Sequence, residues 1–244
     1  MKVAIYQDNV SSNGTLYTSL GRLLGKQNVD FVDANEVIGG VLHRDVTILF
    51  MPGGASRYKE AKLAGPGNDA IKNYVRGGGS YFGICAGAYM ACETTEWARG
   101  TEFEIVRSNE LEFFPGKAVG PIKDFSQAES YNGSDARIVD LDFGSRKLRA
   151  LYWGGCRFVA RPQAVFETIA TFSQLHDNSP AIVSGTYGSG KWLLSSAHVE
   201  YDASAIELIR FEVVGNNFKD IAALIGSNNL SLEPFRELVD SLLP

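Results

Sequence analysis

The sequence predicts a single α/β domain whose central sheet is mostly parallel and carries helices on both faces. In the first half of the chain, short apolar runs alternate with segments of helical spacing, a pattern typical of parallel sheets. The runs are apolar at nearly every position, as expected for strands covered on both faces. No Pro/Ser-rich linker, repeat or low-complexity tract divides the chain, so we predict one domain over residues 1–244.

The first half supplies four predicted strands and two predicted helices. The strands are Val3–Tyr6, Val29–Val32, Val46–Met51 and Ser80–Ile84. The leucines of Thr15–Leu24 recur at helical spacing. Asp69–Arg76 also has helical character and ends at a run of three glycines, which favours helix termination.

After roughly residue 100, predicted strands are separated by Gly, Asn and Ser turns. They are Ala136–Phe143, Leu148–Trp153, Ala164–Phe172, Ala181–Tyr187 and Lys191–Ser195. We expect them to form antiparallel additions and a final central strand, before Ala203–Pro244 returns to helical spacing. The glycines of Gly188-Ser189-Gly190-Lys191 lack the spacing of a phosphate-binding loop, and a strand follows them, so they predict a hairpin turn.

Composition excludes several classes of protein. The chain is 45% hydrophobic, 11% aromatic and 21% charged, which is typical of a globular protein and not of a disordered one. A net charge of −5 without a basic run argues against a nucleic-acid partner. No apolar stretch reaches the roughly 18 residues of a membrane span. We expect a small-molecule substrate or ligand, while the sequence does not identify a protein partner.

The N-terminus and the cysteines predict a cytoplasmic protein without a metal or other cofactor. Met1-Lys2-Val3 leads directly into a strand, without the charged segment and apolar core of a secretory signal. The cysteines are Cys85, Cys92 and Cys156, an odd number at spacings that predict neither a disulfide framework nor a CxxC metal site. A metal site formed by His198, Glu200 and Asp202 would leave Cys85 unused, and we set it aside.

The segment Gly83-Ile84-Cys85-Ala86-Gly87 carries the strongest chemical signal. It follows a predicted strand and precedes the helix-compatible stretch Ala88–Glu93. Small residues on both sides of a nucleophile permit the sharp strand-to-helix turn called a nucleophile elbow. The N-terminus of a helix also favours thiolate over thiol. We predict that Cys85 is a nucleophile, and the alternative is a buried structural cysteine, as expected for Cys92 and Cys156.

His198 is the predicted base and Glu200 the carboxylate that orients it. His198 follows the last apolar strand, and side chains two positions apart in an extended segment point to the same face. His43 and His176 lie in polar segments and are predicted to be surface residues.

Pro52-Gly53-Gly54 directly follows the strand Val46–Met51 and should lie at the same sheet edge as Cys85. The N–H groups of Gly53 or Gly54, together with that of Ala86, would stabilise an oxyanion. An ordinary Pro-Gly turn is the alternative. Polar residues near these segments are candidates for substrate contact: Gln7, Asp8, Arg57, Tyr58 and Tyr89.

Together these motifs resemble the class I glutamine amidotransferase-like superfamily, which has a flavodoxin-like fold. The resemblance implies a Cys85–His198–Glu200 triad. The sequence is more specifically similar to the N-terminal domain of eukaryotic-type biotin–protein ligases and its free-standing bacterial relatives, over residues 1 to about 205. Four stretches carry this similarity: Met51-Pro52-Gly53-Gly54-Ala55, Gly83-Ile84-Cys85-Ala86-Gly87-Ala88-Tyr89, Leu111-Glu112-Phe113-Phe114-Pro115-Gly116 followed by Gly120-Pro121, and Tyr152-Trp153-Gly154-Gly155.

Departures from these families shape the functional expectations. Tyr89 stands where amidotransferases usually carry a Gln of the glutamine pocket, and their segment that holds the α-amino and α-carboxylate groups of glutamine has no counterpart. Within residues 1–244 we recognise neither a synthetase domain nor the catalytic domain of a biotin ligase, so we expect that this chain is not a biotin ligase by itself. We expect a cysteine-dependent hydrolase or acyl-transfer enzyme, or a non-catalytic binding or regulatory module. Cysteine enzymes acting on aldehydes rank last, because His-x-Glu fits the amidotransferase pattern better.

Overall fold

The structure is a computed structural model that describes residues 2–8, 13–126, 136–205, 218–228 and 230–243. Its strands are β1 Lys2–Tyr6, β2 Val29–Val32, β3 Val46–Met51, β4 Ser80–Ile84, β5 Cys92–Trp97, β6 Ile105–Ser108, β7 Phe114–Gly120, β8 Ala136–Phe143, β9 Arg146–Trp153, β10 Arg157–Ala160, β11 Glu167–Phe172, β12 Pro180–Tyr187 and β13 Gly190–Ser195. Its α-helices are α1 Asn13–Leu24, α2 Ala34–Ile38, α3 Leu42–Asp45, α4 Ser56–Leu63, α5 Pro66–Arg76, α6 Ala86–Tyr89, α7 Phe218–Asn228 and α8 Glu233–Ser241.

A nine-stranded sheet forms the centre of the molecule, in the order β2-β1-β3-β4-β13-β12-β11-β8-β9. Its first five strands pair in parallel, and the remaining four are added by antiparallel pairing. The predicted α/β fold, a parallel sheet with antiparallel additions in the second half of the chain, is therefore confirmed. The hairpin turn at Gly188-Ser189 is also confirmed, because Tyr187 pairs with Gly190.

Helices cover both faces of this sheet, as predicted. Val3 and Ile5 of β1 belong to a core cluster with residues of α1 and α8, whereas Ala4 and Tyr6 belong to a second cluster with residues of α2 and α5. Alternate side chains of a strand point to opposite faces, so one short apolar run supplies both cores. This explains why the parallel strands are apolar at most of their positions.

The strand register brings three loops to one edge of the sheet. Met51, the last residue of β3, pairs with Gly83, and Ser195, the last residue of β13, pairs with Ile84. Because β3, β4 and β13 are parallel neighbours, the residues that follow them meet at the same carboxyl edge. Ligands of open α/β sheets bind at such edges.

A second, four-stranded sheet has the order β10-β7-β5-β6. Its strand β5 corrects the prediction that Ala88–Glu93 continues as a helix, because α6 ends at Tyr89 and β5 begins at Cys92. The sequence of β5, with Thr94, Thr95 and Trp97, is rich in residues that favour strands, and it pairs in parallel with β7.

The C-terminal segment forms two helices within the described residues, α7 and α8. The part of the predicted helical pattern that contains Ile206, Ile209 and Val213 lies outside the described residues. Among the helices that are described, none is both long enough and apolar enough to cross a membrane.

Candidate active site

Cys85 occupies a strained turn between β4 and α6. Its φ of 49° and ψ of −105° are rare for a residue with a side chain, and such strain is concentrated at functional sites. The backbone N–H of Cys85 donates to the carbonyl of Ser195 at 2.8 Å, which joins the turn to β13. The thiol is 3.5 Å from the carbonyl oxygen of Trp153, and the residue is 6% exposed.

The two glycines of the elbow are required by close packing. A Cβ added to Gly83 would lie 2.6 Å from the carbonyl oxygen of Gly87. A Cβ added to Gly87 would lie 2.1 Å from the carbonyl oxygen of Met51, in β3. Side chains at these positions would force the backbone apart, so Gly83 and Gly87 permit the tight turn that presents Cys85.

His198 and Glu200 form a buried pair beside this turn. Nδ1 of His198 lies 2.7 Å from Oε1 of Glu200, and the two residues are 2% and 1% exposed. The backbone N–H of His198 donates to the carbonyl of Leu151 at 2.7 Å, and the ring contacts the edge of Tyr201 at 5.4 Å between centroids. The imidazole is therefore held in one orientation.

The charge of His198 depends on both of its neighbours. Burial lowers its pKa, but the Glu200 carboxylate and hydrogen bonds to Cys85 and Glu200 outweigh burial and raise the pKa to about 10. The imidazole consequently retains its proton at neutral pH.

Helix α1 anchors the loop that carries this pair. The hydroxyl of Ser19 donates to the backbone carbonyl of Glu200 at 2.6 Å, and Arg22 forms a 2.6 Å ion pair with Asp202. Asp202, a member of the alternative metal set, also accepts a 2.8 Å hydrogen bond from Ser204. Within the described residues, no cluster of three or more His, Cys, Asp and Glu side chains is placed to hold a metal ion.

The Pro52-Gly53-Gly54 loop lies against Cys85 and His198. A Cβ on Gly53 would be 2.7 Å from Cε1 of His198 and 3.6 Å from Cβ of Cys85, so only glycine lets the loop approach this closely. Gly54 has a φ of 112°, which also favours glycine. The sheet thus brings the predicted oxyanion segment next to the predicted nucleophile.

A cavity of about 580 Å³ opens above Cys85 and His198. It is lined by Gly54, Ala55, Ser56, Arg57, Cys85, Ala86, Tyr89, Thr95, Trp97, Glu102, Phe103, Glu104, Ile105, Trp153, Gly154 and His198. Of the predicted substrate-contact residues, Arg57 and Tyr89 are among them, and the described lining does not include Gln7, Asp8 or Tyr58.

The three predicted contact residues outside the cavity have other surroundings. Gln7 is exposed, and its backbone N–H donates to Val32 at 2.9 Å. Tyr58 is 44% exposed and lies under the guanidinium of Arg57. The carboxylate of Asp8 is buried and pairs with Lys59 at 3.3 Å.

Lys59 is a buried residue that the sequence analysis missed. Burial lowers its pKa, which the charges of Asp8 and of a Cys85 thiolate oppose. No local sequence signal distinguishes this lysine from the exposed Lys62 of the same helix. The aromatic lining residues Trp97 and Phe103 were also not predicted from the sequence. Trp153, in contrast, belongs to the Tyr152-Trp153-Gly154-Gly155 stretch that carries the family similarity.

The fold is similar to that of a glutamine amidotransferase. The crystal structure of a glutamine amidotransferase superposes with a TM-score of 0.59 and 18% sequence identity, over 81% of this chain and 90% of that chain. At this identity the similarity shows the fold, not the activity.

The chain belongs to the family described as "Biotin-protein ligase, N terminal", whose match covers residues 1–242. An uncharacterized protein of Chlamydia muridarum is 34% identical over 200 residues, which are 80% of this chain and 75% of the relative. The biotin–protein ligase of Schizosaccharomyces pombe is 25% identical over 219 residues, which are 86% of this chain and 35% of that enzyme. The chain therefore corresponds to about a third of the yeast ligase, and the family resemblance predicted from the motifs is confirmed.

Proposed function

We propose that the protein is a cysteine-dependent hydrolase or acyl-transfer enzyme acting on a small amide or related carbonyl compound. One observation carries the proposal: Cys85 lies on a strained turn next to a His198–Glu200 pair joined at 2.7 Å. The fold and the family are equally compatible with a non-catalytic module, so these three side chains are what favours an enzyme. The cavity above them supplies space for a substrate.

In the proposed reaction, the thiolate of Cys85 attacks the carbonyl carbon of the amide. A C–S bond forms, and the carbonyl electron pair moves to oxygen, where the N–H groups of Ala86 and of Gly54 or Gly53 would stabilise it. As the C–N bond breaks, the imidazolium of His198 gives its proton to the leaving nitrogen. The products of this step are a thioester and a free amine or ammonia.

A second half-reaction regenerates the thiolate. His198, now neutral, takes a proton from water, and the resulting oxygen nucleophile attacks the thioester. The C–S bond breaks and a carboxylic acid leaves. In acyl transfer, an amine or alcohol would replace water. Glu200 would orient the imidazole throughout, as the carboxylate of a triad does.

A non-catalytic binding or regulatory module is the second candidate. It is favoured by the match to a region that makes up 35% of the Schizosaccharomyces pombe biotin–protein ligase, because such a region can be an appendage to another domain. In that case the cavity would bind a ligand, and Cys85 would need no activation by His198.

The two candidates differ in the reactivity of Cys85. We would measure alkylation by iodoacetamide from about pH 4 to 10, with each cysteine resolved by mass spectrometry. For an enzyme, we expect Cys85 to react at about pH 6, where ordinary thiols are protonated, and His198→Ala to slow that reaction at least about tenfold.

Internal and matched controls accompany this experiment. Cys92 and Cys156 are fully buried, and burial raises the pKa of both thiols, so neither should react in the folded protein. His176→Ala removes an exposed histidine from another part of the chain and should leave the Cys85 rate unchanged. If Cys85 is not alkylated at about pH 6, or if its alkylation rate is the same in His198→Ala as in the unmodified protein, the result would favour the binding module.

A further inference from the structure

The cavity above Cys85 is larger than a site for one small polar amide needs. Its volume of about 580 Å³ lies within the roughly 300–1,000 Å³ of pockets that hold drug-sized ligands. Cys85, Ala86 and His198 occupy only one part of its surface. The remaining lining is therefore available to contact a part of a ligand other than the reacting carbonyl.

Aromatic side chains supply much of that remaining lining. Trp97 of β5 contacts Tyr89 edge to face, with 5.6 Å between ring centroids, and Trp153 of β9 lies 6.4 Å from the His198 ring. The hydroxyl of Tyr89 donates to the carbonyl of Gly155 at 3.0 Å, which joins these two walls. Indole and phenol faces bind flat apolar groups with favourable stacking geometry.

The charged lining residues apart from His198 are exposed. Arg57 is stacked on Tyr58, with 4.7 Å from the guanidinium carbon to the ring centroid, and donates to its hydroxyl at 2.9 Å. Glu102 and Glu104 are exposed, and Glu104 accepts a hydrogen bond from the Gly100 backbone. The aromatic part of the described lining supplies no charged partner, and burying a charge without a partner is costly, so this part favours an uncharged group over the charged end of a zwitterion such as free glutamine.

We propose that the substrate class of this site is an amide whose acyl group carries a flat ring, bound against Trp97 and Trp153 with its carbonyl carbon at Cys85. This inference rests on the proposed function and specifies its substrate. The ring-bearing acyl group would pass from the amide nitrogen to Sγ of Cys85, and then to water, by the two half-reactions given above.

Binding to the Cys85→Ala variant tests the substrate class without any chemistry. Isothermal titration would compare phenylacetamide and benzamide with cyclohexylacetamide, which is of similar size but not flat, and with L-glutamine. We expect at least one ring amide to bind about tenfold more tightly than cyclohexylacetamide and than glutamine. Equal binding of the flat and non-flat amides, or no binding of any of them, would overturn the inference.

Second-site variants locate the binding. Trp97→Leu and Trp153→Leu in the Cys85→Ala background should each weaken the ring amide about tenfold, and Trp97→Phe should restore most of the loss. Tyr17→Leu is the matched control, because Tyr17 is half-buried on α1, stacks on Phe31 and is not part of the cavity lining. Circular dichroism would verify that each variant folds. Affinity that is unchanged by both tryptophan variants would place the ligand elsewhere and refute the inference.

Turnover by the unmodified protein separates this inference from the proposed function. Ring amides that bind but are not hydrolysed would support the ligand class and contradict the hydrolase. Hydrolysis of amides with no preference for flat rings would support the hydrolase and contradict the ligand class.

Discussion

At the scale of single residues, the site depends on polar side chains that are buried next to each other. His198 and Glu200 are almost inaccessible to solvent, and the imidazole of His198 is also hydrogen-bonded to the side chain of Cys85. The Glu200 carboxylate opposes the effect of burial on the pKa of His198, so removing this carboxylate should change the charge of the imidazole. Because Oε1 of Glu200 lies 2.7 Å from Nδ1 of His198, we expect removal of this carboxylate to have a large effect on the pKa of His198.

We expect Glu200→Gln to lower the pKa of His198 well below about 10, because the variant removes the carboxylate that opposes the effect of burial. The measurement is an NMR titration of the imidazole, with Glu233→Gln, an exposed carboxylate on α8, as the control. An unchanged titration would show that Glu200 does not set the charge of His198.

The same shift predicts how stability varies with pH. The folded pKa of His198 lies above the roughly 6.5 of an unfolded histidine. Its contribution to the free energy of unfolding is therefore complete below about pH 6.5 and is lost as the pH rises through about 10. Urea unfolding over this range should show a steeper decline for the unmodified protein than for Glu200→Gln.

At the scale of secondary-structure elements, α1 supports the loop after β13 although it contributes nothing to the described cavity lining. Ser19 is buried and donates to the backbone of Glu200, and Arg22 pairs with Asp202 in the same loop. The helix thereby links the core of one sheet face to the orientation of His198. Ser19 and Arg22 are thus positioning residues, which act on His198 by holding the backbone of its loop in place.

We expect Ser19→Ala to reduce the free energy of unfolding by about 1–3 kcal/mol, because it leaves the buried Glu200 carbonyl without its hydrogen bond. It should also slow alkylation of Cys85 at about pH 6, since the His198 loop would lose its support. Ser227→Ala removes an exposed hydroxyl that bonds only within α7 and serves as the control. A loss of stability without a change in Cys85 reactivity would limit Ser19 to a structural role.

At the scale of the whole molecule, the second sheet is attached to the helical layer beside the cavity. Arg107 of β6 donates to the hydroxyl of Ser56 at 2.8 Å and to the carboxylate of Glu60 at 2.5 Å, both on α4. Burial raises the pKa of Glu60 to about 7, although Arg107 opposes that increase. The contact between β6 of the second sheet and α4 is therefore sensitive to pH near neutrality.

We expect the protein to lose stability between about pH 5 and 8 because of Glu60. Its folded pKa of about 7 exceeds the model-compound value of 4.5, so its contribution is complete below pH 4.5 and is lost as the pH rises through about 7. In urea unfolding at about pH 5 and at about pH 8, the difference in the free energy of unfolding should be smaller for Glu60→Gln than for the unmodified protein. The same slope in the variant and the unmodified protein would exclude Glu60 as its source.

Several features were determined by the sequence alone because their signals are local. The strands Val29–Val32, Val46–Met51 and Ser80–Ile84 were predicted with the bounds that the structure shows, since short, mostly apolar runs rich in β-branched and aromatic residues favour buried strands. The turn at Cys85 was recognisable for a similar reason, because its two glycines and its cysteine lie within five consecutive residues.

Only the tertiary structure decided what surrounds the site. The strand β5, the buried Asp8–Lys59 pair and the presence of Trp97 and Trp153 in one cavity lining all depend on contacts between segments far apart in the chain. Side chains such as Asp8 and Lys59 carry no local mark of burial, because their environment is created by neighbours that periodicity does not identify. The chemistry at the sheet edge could thus be inferred from short motifs, whereas the shape and polarity of the cavity arise from long-range packing.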